Sequence, residues 1–142
     1  MTTSTTTRPT AVAAPARSKA YSVLIGLTAL FVLLQGVWAG IFLQHDGQRD
    51  AAQSWIDVHA RGADLSIVLA AAATAVAFWK LRQRRDLWIG SAVLTVALVL
   101  ESYIGGLIVD ASKDVLTAVH VPLAMVLVGL SVWLPLRARN RA

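Results

Sequence analysis

The sequence contains no cysteine and few charged residues. Without cysteine the chain forms no disulfide and holds no thiolate metal site or iron–sulfur cluster. Charged residues make up 15% of the chain, whereas they supply about a quarter of a typical soluble domain. Hydrophobic residues make up 56% of the 142 residues, and the mean hydropathy is +0.62. This composition excludes a soluble globular protein, and the length allows a single domain.

Four long apolar runs account for the high hydropathy. They span about residues 21–43, 63–79, 87–109 and 115–136, and each approaches the roughly 20 residues that about 30 Å of hydrocarbon requires. Most connections between them are short, which favours antiparallel packing of consecutive spans. The sequence therefore predicts an all-α membrane protein, an antiparallel four-helix transmembrane bundle over residues 21–137.

The basic residues are distributed unevenly among the connections and tails. Ten lie in the N-terminal tail, the second connection and the C-terminal tail, namely Arg8, Arg17, Lys19, Lys80, Arg82, Arg84, Arg85, Arg137, Arg139 and Arg141. Three, Arg49, Arg61 and Lys113, belong to the other two connections and their flanks. The positive-inside rule then predicts a multi-pass protein of the cytoplasmic (plasma) membrane with both termini inside. We interpret the net charge of +5 as a topology signal that also attracts anionic lipid, and we expect no nucleic-acid partner.

The two tails differ from the spans in composition. Residues 1–20 are basic and rich in Thr, Ala and Pro, so we expect a disordered tail that buries too little apolar area to fold. Residues 138–142 form a short basic tail on the same side. Tryptophans fall near the ends of the spans, as in interfacial belts, at Trp38, Trp55, Trp79, Trp88 and Trp133.

Two histidines are predicted at similar depth on different helices. The run Ser54-Trp-Ile-Asp57 resembles a capping box, so the second helix is expected to extend from about residue 54, with Asp57 able to pair with Arg61. By the same reasoning Ser112 predicts a helix start near residue 113. His59 and His120 then both lie close to the outer end of their helices.

Matched depth makes the two imidazoles candidate axial ligands of a haem iron, which needs one nitrogen on each face at about 2.0 Å. The alternative interpretation is that each imidazole only makes interhelical hydrogen bonds. Glu101, inside the third span, has the same two interpretations: an acceptor for a ligand imidazole N–H or a proton-handling group, or a neutral acid that specifies packing. The residues alone leave these alternatives open.

Other polar and small residues bear on helix packing. Gln35 is expected to form an interhelical hydrogen bond, and Gly36 with Gly40 forms a G-x-x-x-G pair that allows close backbone approach in lipid. Pro122 removes a backbone donor and is expected to kink the fourth helix beside His120. Asp64 is expected to be structural.

Three segments resemble one half of the haem A synthase family. Residues 101–109 (ESYIGGLIV) and 118–125 (AVHVPLAM) resemble its third and fourth helices, where a Gln-containing helix with a Gly-Gly ending precedes a helix that opens with Ala-x-His. Residues 56–61 (IDVHAR) are similar to the acidic-x-x-His-Arg start of its second helix, with the acid one residue closer to the histidine. The resemblance covers about residues 20–137.

The resemblance implies a four-helix unit with His59 and His120 as axial haem ligands at the outer side. The chain departs from the family in having one such unit, no cysteine, and Glu101 where glutamine is usual. Haem A synthase activity is therefore not expected from this chain alone, and no nucleophile–base pair suggests catalytic residues.

The sequence thus leaves two functional hypotheses. In the first, the protein binds one haem b for electron transfer or haem handling. His59 and His120 would bind the iron, Arg61 would pair with a propionate, and Glu101 would accept the N–H of a ligand imidazole. A homodimer would replace the missing half. In the second, it is a cofactor-free structural or accessory bundle that interacts with other membrane proteins.

Overall fold

Four long α-helices make up most of the chain in the computed structural model, which describes residues 18–45 and 48–140. They are α1 (Lys19–Leu43), α2 (Arg49–Lys80), α3 (Arg85–Asp110) and α4 (Thr117–Arg139), with a 3-10 turn at Asp114–Leu116 before α4. The described residues contain no strand, and each helix is long and apolar enough to cross a membrane. The all-α prediction is confirmed for the described residues, as is the prediction of four helices long and apolar enough to span a membrane.

The second helix begins earlier than the sequence predicts. α2 starts at Arg49, five residues before Ser54, and its N-cap residue Gln48 provides no side-chain cap. Inside the helix, Gln53 Nε2 donates to Asp57 Oδ1 over 2.9 Å. The predicted capping box is therefore wrong, because alanines favour helix ahead of it and Asp57 already has an i, i−4 partner. Arg61 forms no ion pair with Asp57 within the described residues.

The fourth helix begins later than predicted. Ser112 adopts a positive φ of 51° after α3, and the 3-10 turn places the first α-helical residue at Thr117. Most of the predicted N-terminal tail, residues 1–17, lies outside the described residues, as do residues 141–142 of the C-terminal tail. Lys19 and Ala20 belong to α1 rather than to the tail.

The helices pack in a ring in which each has two neighbours. α1 contacts α2 and α4, and α3 contacts the same two helices. Across the described ranges no Cα atoms of α2 and α4, or of α1 and α3, approach within 8 Å. The core is built from large residues of three helices and small residues of α2, and its members include Tyr21, Ile25, Leu87, Leu94, Leu134, Ala70, Ala73 and Ala77. Many apolar side chains remain exposed on all four helices, as expected of surfaces that face lipid.

Glycine allows close approach at a position other than the predicted pair. A Cβ atom on Gly62 of α2 would clash with the ring of Trp38 and the amide of Gln35 on α1. Gly36 and Gly40 instead face open space, with no atom within 4 Å of an added Cβ. The G-x-x-x-G pair is therefore not the point of contact between the described helices.

Serine and threonine hydroxyls bond mainly within their own helices. They donate to carbonyl oxygens three or four residues earlier, as seen for Thr28, Ser66, Thr74, Thr95 and Ser131 at 2.8–2.9 Å. Two hydroxyl contacts also cross between helices: Tyr21 Oη to Ser91 Oγ at 2.9 Å and Thr74 to Thr95 at 3.1 Å. The hydroxyls are therefore satisfied mostly without help from neighbouring helices.

An ion-pair network joins the beginning of α3 to the end of α4. Asp86 accepts from Arg84 over 3.0 Å and from Arg137 Nε over 2.8 Å. Arg84 also donates to the carbonyl oxygen of Arg137 over 3.0 Å. This network therefore fixes the 81–84 connection against the last turns of α4.

Candidate functional site at His59 and His120

The side chain of Gln35 links α1 to the backbone of α2 beside His59. With the amide oriented to satisfy both of its ends, Gln35 Nε2 donates to the His59 carbonyl oxygen over 2.9 Å. Oε1 accepts from the Ala63 N–H over 3.1 Å. Gly62 makes room for this amide, and the interhelical role predicted for Gln35 is confirmed.

The imidazole of His59 has one ring nitrogen engaged with α1. Nδ1 lies 3.2 Å from the backbone oxygen of Gln35 and 3.1 Å from its amide nitrogen. In either tautomer Nδ1 has a partner, whereas Nε2 forms no hydrogen bond within the described residues. Phe42 packs edge-on to the ring at a centroid distance of 5.5 Å. His59 is therefore half-buried, held from α1, and free at Nε2.

The imidazole of His120 contacts a carboxyl group on α3. Its Nδ1 lies 3.1 Å from Oε1 of Glu101. The two groups are within hydrogen-bond distance but not aligned as a hydrogen bond, and both Glu101 oxygens and His120 Nδ1 are buried without one among the described residues. Gly105 borders the ring, because a Cβ there would stand 3.3 Å from Cε1. Glycine thus lets α3 approach the imidazole at a point one turn beyond the acid.

The two histidines lie on helices that do not touch through their backbones. α2 and α4 are across the ring from each other, and no hydrogen bond or ring contact within the described residues joins the two imidazoles. The structure thus brings His120 and Glu101 together between α3 and α4, whereas His59 is held from α1. Arg61, the fourth predicted site residue, is exposed and makes no ion pair within the described residues.

The donor set restricts the kind of metal site that could form here. Within the described ranges no group of three or more His, Asp or Glu side chains is placed to hold a metal ion. Two imidazoles suffice only where another group supplies the remaining ligands, as a porphyrin does. A groove of about 550 Å³ lies elsewhere, along the outside of α2 and α3.

Sequence reasoning identified the two histidines and the acid but missed their immediate neighbours. It assigned Gln35 no particular partner, and it overlooked Gly62 and Gly105, which accommodate the neighbouring side chains. Helical spacing held a signal for both glycines, because one follows His59 by three residues and the other follows Glu101 by four.

A scan of protein-family models and searches of curated proteins and solved structures each found no significant match to this chain.

Proposed function

We propose that this protein is a small multi-pass membrane protein that binds one b-type haem through His59 and His120. The observation that carries the proposal is the environment of the two imidazoles. Each has Nδ1 within 3.2 Å of an oxygen of another helix, the Gln35 carbonyl for His59 and the Glu101 carboxyl for His120. Each would bind iron through Nε2.

The contact of His59 with the Gln35 carbonyl is the one that metal-binding histidines usually have. A ligating imidazole donates its second N–H to a carbonyl or carboxylate, which fixes the tautomer and the ring orientation and raises the basicity of the ligating nitrogen. Donation from His59 Nδ1 to the Gln35 carbonyl leaves the lone pair on Nε2. The Glu101 carboxylate would act in the same way on His120, for which only the alignment of two atoms already 3.1 Å apart has to change.

The positions of the helices are compatible with a group between the imidazoles. His59 and His120 come from α2 and α4, whose backbones are not in contact. A haem with two imidazole ligands supplies reversible one-electron chemistry, which fits electron transfer or haem handling. Arg61, exposed and without an ion-pair partner in the described chain, would be available to a propionate.

For the topology, we propose an antiparallel bundle with both termini on the cytoplasmic side of the plasma membrane. Two contacts support it: Tyr21 near the start of α1 bonds Ser91 in the first turns of α3, and Asp86 at the start of α3 bonds Arg137 near the end of α4. The starts of α1 and α3 thus lie beside the end of α4. The cation-rich second connection belongs to this same end, as the positive-inside rule requires of a cytoplasmic face.

A cofactor-free structural bundle is the second candidate. The observation that favours it is that Gln35 already satisfies the backbone of α2 around His59 without any ligand. In this case His59 and His120 would contribute only interhelical polar contacts, and the protein would act through its surfaces on other membrane proteins.

An absorption spectrum of the protein, produced with haem supplied and purified in detergent, separates the two candidates. We expect the wild type to show the absorption bands of haem after chemical reduction. His59→Ala and His120→Ala should lose these bands. His45→Ala is the matched control, because within the described residues the imidazole of His45 bonds the Ile41 carbonyl of its own segment and no residue of another helix. Circular dichroism checks that each variant keeps its helices. A wild type without haem bands, or bands unchanged in both site variants, would exclude haem ligation and favour the structural role.

A further inference from the structure

A groove runs along the outside of α2 and α3, away from the two histidines. It is a shallow groove, open along its side, with a volume of about 550 Å³. Its walls are formed by successive turns of the two helices, through Ala71, Thr74, Ala75, Phe78, Trp79, Trp88, Ala92, Thr95 and Val96. The threonine hydroxyls bond each other at 3.1 Å and also donate to carbonyls of their own helices. The groove therefore presents apolar surface and no unsatisfied hydroxyl, which suits a hydrocarbon chain.

The groove changes character along its length. Small residues line the part deeper in the spans, whereas aromatic residues gather at the end next to the 81–84 connection. There Phe78 and Trp88 pack edge-to-face at 5.8 Å, and Trp79 is 71% exposed. Aromatic rings of this kind collect where hydrocarbon meets the headgroup region. One end of the groove thus has the residue types typical of the headgroup region, and the other end those typical of the hydrocarbon region.

A cation stands at the aromatic end. The guanidinium carbon of Arg82 lies 5.7 Å from the centroid of Phe78, in cation–π contact with a wall of the groove. Lys80 and Arg85 are exposed on either side of the same connection. The nearest acid along the chain, Asp86, is already bound to Arg84 and Arg137. The end of the groove therefore carries positive charge suited to a phosphate.

We propose that this groove binds an anionic glycerophospholipid, with an acyl chain between α2 and α3 and the phosphate against Arg82. The combination of an apolar channel, an aromatic rim and a cation fixed on that rim matches the order of chain, interface and phosphate in such a lipid. The site is independent of haem, because it shares no residue with the surroundings of His59 and His120.

Native mass spectrometry of the purified protein, incubated with phosphatidylglycerol or with phosphatidylcholine of identical chains, tests the proposal. We expect one phosphatidylglycerol to remain bound per protein, in clear excess over phosphatidylcholine. Arg82→Gln should lower that preference about fivefold, the effect of one cation near a headgroup, without changing retention of phosphatidylcholine. Lys19→Gln, at the beginning of α1, is the charge control and should leave the preference unchanged.

A filled groove provides the second arm of the experiment. Ala75→Phe places a ring in the groove and should reduce retention of both lipids, whereas Gly129→Phe, which points into open space on α4, should not. Equal retention of the two lipids by the wild type, or unchanged retention in Ala75→Phe, would overturn the proposal. A dimer in the wild-type spectrum that disappears in Ala75→Phe would also overturn it, because the groove would then be occupied by a second copy.

Discussion

Nδ1 of His120 on α4 lies 3.1 Å from Oε1 of Glu101 on α3, and neither oxygen of the carboxyl group has a hydrogen bond within the described residues. A buried polar group without a partner destabilises a fold, because its desolvation is not compensated. In lipid, ionisable side chains of this kind are rare and commonly serve function. Under the proposed function, this carboxyl group would gain its hydrogen-bond partner when His120 binds haem iron.

Glu101→Leu should separate stability from haem binding. We expect the haem-free variant to be more stable than the wild type by about 1 to 3 kcal/mol, because two unsatisfied oxygens are removed. The same change should weaken haem binding about 10- to 100-fold, the usual effect of losing a group behind a ligand. Unfolding in denaturing detergent and haem titration measure the two effects. Glu101→Gln, which keeps the shape and an acceptor oxygen, should weaken haem binding less than Glu101→Leu. If Glu101→Leu is less stable than the wild type, the acid supports the fold and the prediction is wrong.

Gly62→Ala should destabilise the bundle at the contact of α1 with α2. The added methyl group meets the ring of Trp38 and the amide of Gln35, and overpacking of this kind costs about 1 to 3 kcal/mol. Gly36→Ala is the matched control, since it faces open space and should be neutral or stabilising by up to about 1 kcal/mol. Detergent unfolding compares the two variants. Equal stability of both would contradict the close contact at Gly62.

The hydroxyl contact between Tyr21 and Ser91 should have a measurable coupling energy. A double-mutant cycle of Tyr21→Phe and Ser91→Ala is expected to give about 0.6 kcal/mol, the average for polar contacts between membrane helices, and at most about 1.7 kcal/mol. Tyr103→Phe is the control, because this ring is 65% exposed and has no hydrogen bond in the described chain. A coupling energy of zero would mean that the two hydroxyls do not bond.

Asp86→Asn should loosen the junction between the 81–84 connection and the end of α4. Asp86 binds Arg84 and Arg137 and is only partly exposed. We therefore expect Asp86→Asn to lower the free energy of unfolding by about 1 to 2 kcal/mol, which is less than the effect of breaking a fully buried pair. Asp64→Asn, an exposed acid without an ion pair among the described residues, should have little effect. Unfolding in denaturing detergent at low and high salt measures the stability of the two variants. The destabilisation by Asp86→Asn should be smaller at high salt, because salt screens the charges.

The helices were predictable because their signal is strong and local. An apolar run of about 20 residues in lipid has no alternative to a helix, since every backbone group must bond internally. The start of α2 was not predictable in the same way. Residues 49–56 are polar enough for a loop, and Ser54 with Asp57 matches a start signal, yet the Gln53–Asp57 contact continues the helix through it.

The site was predictable in part. Depth alone placed His59 and His120 at comparable levels, and an acid within an apolar run pointed to Glu101. The contacts that hold them depend on which face of each helix points into the bundle. This face cannot be predicted from the sequence, because these helices have hydrophobic residues on all sides. Gln35 and His59 are 24 residues apart, so their contact follows from the α1–α2 packing at Gly62 rather than from any local pattern.

The return of serine and threonine hydroxyls to their own helices affects how the chain enters the bilayer. A helix whose hydroxyls are already bonded can be released from the insertion machinery as a single helix, because its hydroxyls need no partner on a neighbouring helix. α3 is different, because Glu101 has no acceptor or donor within its own helix and its nearest polar contact, His120, is synthesised later. Biogenesis should therefore favour release of α3 together with α4 as a hairpin.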